Sequence, residues 1–80
     1  MRISNNMLDK IMDELIHWEH DKGFVLHPLV VSKAYHDERV KECLFNIVDC
    51  LVEKYRETDP NIVHSAALLK KVFSYASLRR

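Results

Sequence analysis

The stretch that decides the fold is Asp37–Arg56, DERVKECLFNIVDCLVEKYR. On a helix at about 100° per residue its apolar residues cover an arc of roughly 220°, whereas an ordinary surface helix shows a stripe of about 100° or a little more. The pattern predicts a helix that packs against neighbours on two or three sides, with Asp37 as its N-cap. The apolar residues of the arc are Val40, Cys43, Leu44, Phe45, Ile47, Val48, Cys50, Leu51, Val52 and Tyr55.

Three further helices are predicted around this one. Gly23 suits the C′ position that ends a first helix, Pro28 suits the first position of a short second helix, and Pro60 follows a capping Thr58 or Asp59 in the last. One glycine and two prolines in eighty residues argue against an all-β fold. The predicted fold is all-α, a small antiparallel bundle of about four helices in one domain, with helices at residues 4–22, 28–36, 37–57 (central) and 60–78.

Residues 24–56 allow two other assignments. A single helix from Pro28 to Arg56 would place Lys33 and Asp37 in the apolar arc, so a break near Asp37 is expected. A strand over residues 24–31 would need a partner strand, and we expect such a partner only in a second subunit.

Charge and hydropathy narrow the class of function. The chain has twelve basic and twelve acidic residues, so it shows neither the excess positive charge of most nucleic-acid binders nor the negative charge of a DNA mimic. No apolar run approaches the roughly 20 residues that a membrane span requires, and the N-terminal residues do not resemble a signal peptide. We expect a cytoplasmic protein without a membrane partner.

The two cysteines are not expected to bridge each other. Cys43 and Cys50 lie seven residues apart on one predicted helix, about 10.5 Å along its axis. A disulfide requires Cα atoms within about 7 Å. Both are therefore expected to be small buried side chains in a reducing compartment, and an intermolecular disulfide is the alternative.

The chain contains histidines, cysteines and carboxylates, which can bind metals or act in catalysis, but their spacing matches no known metal-binding or catalytic motif. His17 and His20 could share a helix face, but no other residues complete a zinc pattern. One glycine cannot form a phosphate-binding loop, and carboxylates such as Asp13 and Glu14 lie on a solvated face. We predict no catalytic residue, no metal and no cofactor, and we expect that the protein is not an enzyme.

The last predicted helix has more apolar surface than one neighbouring helix can cover. An 80-residue chain buries a limited fraction of its surface, so part of this surface is expected to contact a protein partner. We predict a regulatory or adaptor module, for example an inhibitor of a larger protein, that is homodimeric. Its predicted partner-binding residues are Trp18, Phe45, Leu68, Tyr75 and Leu78. A well-packed monomer with some exposed apolar residues is the simpler alternative.

Nucleic-acid binding through a helix-turn-helix is the alternative function. The last two predicted helices are joined by a short turn, and the second of them carries Lys70, Lys71, Arg79 and Arg80. Recognition helices, however, expose polar readers in their first turns. The last helix instead opens with the mostly apolar run Asn61–His64, so this function is not favoured.

Overall fold

The structure, a computed structural model, describes the backbone of residues 5–78 and the side chains of residues 7–75. The elements in chain order are α1 (Asn5–Leu15), β1 (Ile16–Glu19), β2 (Gly23–Leu26), α2 (Pro28–His36), α3 (Glu38–Tyr55) and α4 (Asn61–Leu78). The prediction of a mostly helical chain with four helices is confirmed. The bounds of α2 match the second predicted helix, and those of α3 and α4 lie within two residues of their predicted bounds.

The prediction of one helix over residues 4–22 is wrong beyond Leu15. The chain leaves α1 there and forms a two-stranded antiparallel sheet, in which β1 pairs with β2. The expectation that a strand in this region could find its partner only in a second subunit is therefore wrong as well. Aromatic and β-branched residues fit a pleated surface, and this short hairpin contains Ile16, Trp18, Phe24 and Val25.

Gly23 closes the hairpin loop and not a helix. It pairs with Glu19 across the sheet, and its φ of 80° lies in the left-handed region that residues with a Cβ rarely adopt. Hairpin loops of three to five residues commonly place a glycine in this conformation. The C′ position of a helix requires the same conformation, which is why one glycine was compatible with both assignments.

The central helix is α3, which contacts α1, α2, α4 and β1. Leu44 and Val48 on its inner face are completely buried. The surrounding core consists of Leu8, Met12, Ile16, Val30, Ala34, Val40, Cys43, Ile47, Ala66 and Phe73. Most of the wide apolar arc of α3 is covered, because several elements pack around this helix. Cys50, at one edge of the arc, is exposed, contrary to the prediction.

Polar caps fix the start of α2 and of α3. The Asp37 carboxylate accepts the Arg39 backbone N–H at 2.9 Å, which confirms Asp37 as the N-cap of α3. His27 caps α2 in the same way through Nδ1, which accepts the Leu29 N–H at 3.1 Å. The single residue Asp37 thus ends one helix and begins the next.

Candidate functional site

An apolar stripe lies on the outer face of α4. Leu68, Val72 and Tyr75 are 50%, 54% and 62% exposed, and their i, i+4, i+7 spacing places them on one side of the helix. Among the described residues, four of the eight large apolar side chains that are exposed belong to α4. We call Leu68, Val72 and Tyr75 the α4 stripe. Since Ile62 and Phe73 fill the core from the opposite face, α4 is apolar on both sides.

The α4 stripe borders a shallow groove of about 270 Å³. Its walls come from β2, α2 and α4, and its lining residues are Leu26, Val31, Tyr35, Leu68, Leu69, Val72 and Phe73. The rings of Tyr35 and Phe73 lie together with their centroids 4.6 Å apart. Because this lining is almost entirely apolar, the groove can cover an apolar side chain of a partner. It has few polar groups that could react with a substrate or bind a charged ligand.

The predicted partner-binding residues fall into different surroundings. Leu68 and Tyr75 share the α4 stripe. Phe45 is half-buried on α3, with its ring edge-on to Phe73 at a centroid distance of 6.5 Å. Trp18 is half-buried on the hairpin, where its ring packs edge-on against Phe24 at 4.9 Å. The side chain of Leu78 lies outside the described residues.

Val72 is part of the α4 stripe, although the helical spacing of α4 also places it next to the face formed by Ile62, Leu69 and Phe73. It lies at the edge of that face, so the pattern alone could not decide on which side of the boundary it falls. The groove residues Leu26 and Tyr35 belong to β2 and α2 and could be joined to α4 only by the tertiary structure.

The basic residues proposed for the nucleic-acid alternative are also in different surroundings. Lys70 forms an ion pair with Asp49 of α3, and its ammonium group lies 5.8 Å from the centroid of the Phe45 ring. Lys71 is exposed. Arg79 and Arg80 lie outside the described residues.

A polar cluster joins the hairpin to the loop before α4. Asp59 is 7% exposed, and its Oδ2 accepts the Trp18 indole N–H at 3.0 Å and lies 2.8 Å from Nδ1 of His20. An ionised carboxylate only accepts hydrogen bonds, so Nδ1 of His20 must carry a proton. We call Trp18, His20 and Asp59 the hairpin clip. No helical reading of residues 4–22 could have indicated it, because it depends on the hairpin.

The pKa values of the hairpin clip shift in opposite directions. The hydrogen bond from His20, supported by the Trp18 bond and the His20 charge, lowers the pKa of Asp59 against the opposing effect of burial. The same hydrogen bond and the Asp59 charge raise the pKa of His20, to which Asp21 adds. Both shifts favour the charged pair, as expected for neighbouring groups of opposite charge.

The buried Cys43 thiol donates to Oδ1 of Asp9 at 3.0 Å and so ties α3 to α1. Burial, followed by the bond to Asp9 and its charge, raises the pKa of Cys43 to about 12. A nucleophilic cysteine requires an accessible thiolate with a lowered pKa. Cys43 therefore has a structural and not a catalytic environment.

Candidate metal clusters and membrane-spanning helices are both absent from the described part of the chain. No group of three or more His, Cys, Asp or Glu side chains within it could hold a metal ion. None of its helices combines the length and the hydropathy that crossing a membrane requires.

No family model, no curated protein and no solved structure matches this chain.

Proposed function

We propose that the protein is a small non-catalytic regulatory or adaptor module that acts through protein–protein contacts and forms a homodimer. The observation that carries the proposal is the α4 stripe, in which three large apolar side chains are each at least half exposed. Burial of apolar surface contributes about 25 cal/mol per Å². Covering the α4 stripe therefore supplies on the order of a few kcal/mol to association.

In this proposal the chain first binds a second copy of itself. The resulting dimer then binds a larger protein and either blocks a surface of that protein or links it to another protein. The proposal includes a cytoplasmic location and an antiparallel order of the four helices. The connection between α3 and α4, residues 56–60, supports that order for this pair, because helices joined by a few residues are commonly antiparallel neighbours.

Sedimentation of Leu68→Glu tests the α4 stripe. We expect the unmodified protein to dimerise with rising concentration and Leu68→Glu to remain a monomer, because a dimer would have to bury the new carboxylate. Val63→Glu is the matched control, since Val63 is 51% exposed on a different side of the same helix. Circular dichroism verifies that both variants fold. Equal behaviour of the two variants, or a monomer at every concentration of the unmodified protein, would contradict the proposal.

Nucleic-acid binding is the second candidate, because residues 60–80 contain four lysines and arginines and no acidic residue. The exposed residues early in α4 are Asn61, Val63 and His64, so an apolar side chain interrupts the polar reading surface that this function requires. Sedimentation with added duplex DNA separates the two candidates. Complexes that form and then weaken steeply with salt would favour the nucleic-acid function.

A further inference from the structure

Charge is segregated along the chain although the net charge is zero. All twelve acidic residues lie within residues 9–21 and 37–59, and none lies within residues 22–36 or 60–80. Residues 5–21 contain five acidic residues and one lysine, whereas residues 60–80 contain four basic residues. A neutral molecule can therefore present surfaces of opposite sign.

The fold gathers the segments without acidic residues around the groove. β2, α2 and α4 all lie in these segments, and α4 contacts both β2 and α2. Lys71 is exposed on α4. No carboxylate from the three elements that form the groove can therefore repel an acidic partner.

The helix α1 has the complementary properties. Asp9, Asp13 and Glu14 are exposed on it. Met7 and Ile11 are 54% and 41% exposed, and their i, i+4 spacing puts them on one side of α1. Glu14 follows Ile11 by three residues and so lies on the same side. One edge of α1 thus combines apolar contact surface with a carboxylate.

We propose that α1 of one subunit docks in the groove of a second copy, with Ile11 against the α4 stripe and Glu14 near Lys71. This inference rests on the homodimer of the proposed function and names the surfaces that meet. Opposite charges favour this pairing, whereas two α4 helices side by side would bring basic surfaces together. The same contact made twice around a two-fold axis closes a dimer.

Charge reversal tests the pairing by sedimentation equilibrium. Lys71→Glu and Glu14→Lys are each expected to weaken dimerisation by roughly tenfold, since each replaces an attraction by a repulsion at two contacts. An equimolar mixture of the two variants is expected to dimerise like the unmodified protein, because every Glu then faces a Lys. The double variant is expected to recover in the same way. Glu57→Lys, an exposed reversal in the loop before α4, is the control.

The outcomes separate this inference from the proposed function. Recovery in the mixture supports the docking of α1 in the groove. If Leu68→Glu abolishes dimerisation while Glu14→Lys leaves it unchanged, the α4 stripe binds another surface, so the inference fails and the proposed function stands. If the unmodified protein does not associate, both fail. Circular dichroism of each variant verifies that a loss of association is not a loss of folding.

Discussion

Asp59 is a buried carboxylate that joins two parts of the chain far apart in sequence. Its partners Trp18 and His20 precede it by 41 and 39 residues. A buried charge is costly unless it is paired and hydrogen-bonded, and the two donors of the hairpin supply that pairing. The hairpin is therefore held to the loop before α4 by a contact whose strength depends on protonation.

Replacement of His20 should change how stability depends on pH. Because the pKa of His20 is raised, the pair with Asp59 contributes stability that is complete below pH 6.5, the ordinary pKa of histidine, and is lost as pH rises through the folded-state pKa. Because the pKa of Asp59 is lowered, the pair contributes stability that is complete above pH 3.8, the ordinary pKa of aspartate, and is lost as pH falls through the folded-state pKa. The clip is thus most stabilising between these two values.

We expect His20→Gln to flatten the fall in the free energy of unfolding above pH 6.5. Urea denaturation at a series of pH values measures this fall, and Trp18, the one tryptophan in the chain, reports it by fluorescence. His17→Gln, an exposed position on β1, is the control. The same slope in the unmodified protein and in His20→Gln would show that the clip does not couple pH to folding.

The two cysteines should differ strongly in their reaction with a thiol reagent. Cys43 is buried with a pKa raised to about 12, whereas Cys50 is exposed. Because the thiolate is the reacting form, labelling of Cys43 near pH 8 should be slower by roughly a hundredfold or more. Ellman's reagent on Cys50→Ala and Cys43→Ala measures each thiol alone. Comparable rates would mean that the tie between Cys43 and Asp9 opens readily.

At the scale of elements, α3 organises the fold because it is in contact with the other three helices and with β1. The local sequence specified α2, α3 and α4 well, since the periodicity of α3 and α4 is long and Pro28, Asp37 and Pro60 mark the three beginnings. The hairpin was missed because four-residue strands are too short to show a period. A signal was nevertheless present, since two runs rich in aromatic and β-branched residues flank a turn that ends in Gly23.

Truncation of the centre of α3 should be severe. Leu44 is completely buried, and Leu44→Ala is expected to reduce the free energy of unfolding by about 2–5 kcal/mol through lost contacts and a cavity. That loss is a large part of the 5–15 kcal/mol typical of whole domains. Urea denaturation measures it. Leu51→Ala, at a half-buried position on the same helix, should cost clearly less, and equal losses would contradict the central role of Leu44.

At the scale of the whole molecule, exposed apolar surface and segregated charge occur in the same small protein. The groove is almost entirely apolar and the elements that form it lack acidic residues, whereas α1 is acidic and partly apolar. Each property alone is compatible with a monomer, because exposed apolar residues and surface charges are common. Their combination is the basis of the self-association that we propose, and the charge-reversal mixture tests both together.

The sequence by itself determined the helical class, three of the six elements and the excess of apolar surface on the last helix, because these follow from periodicity and local punctuation. Tertiary structure alone decided that Ile16–Glu19 would pair with Gly23–Leu26, that Val72 would be exposed and that His20 would meet Asp59. Such outcomes depend on which elements pack together. A local pattern shows that a helix has apolar faces, but the neighbours decide which of them reaches solvent.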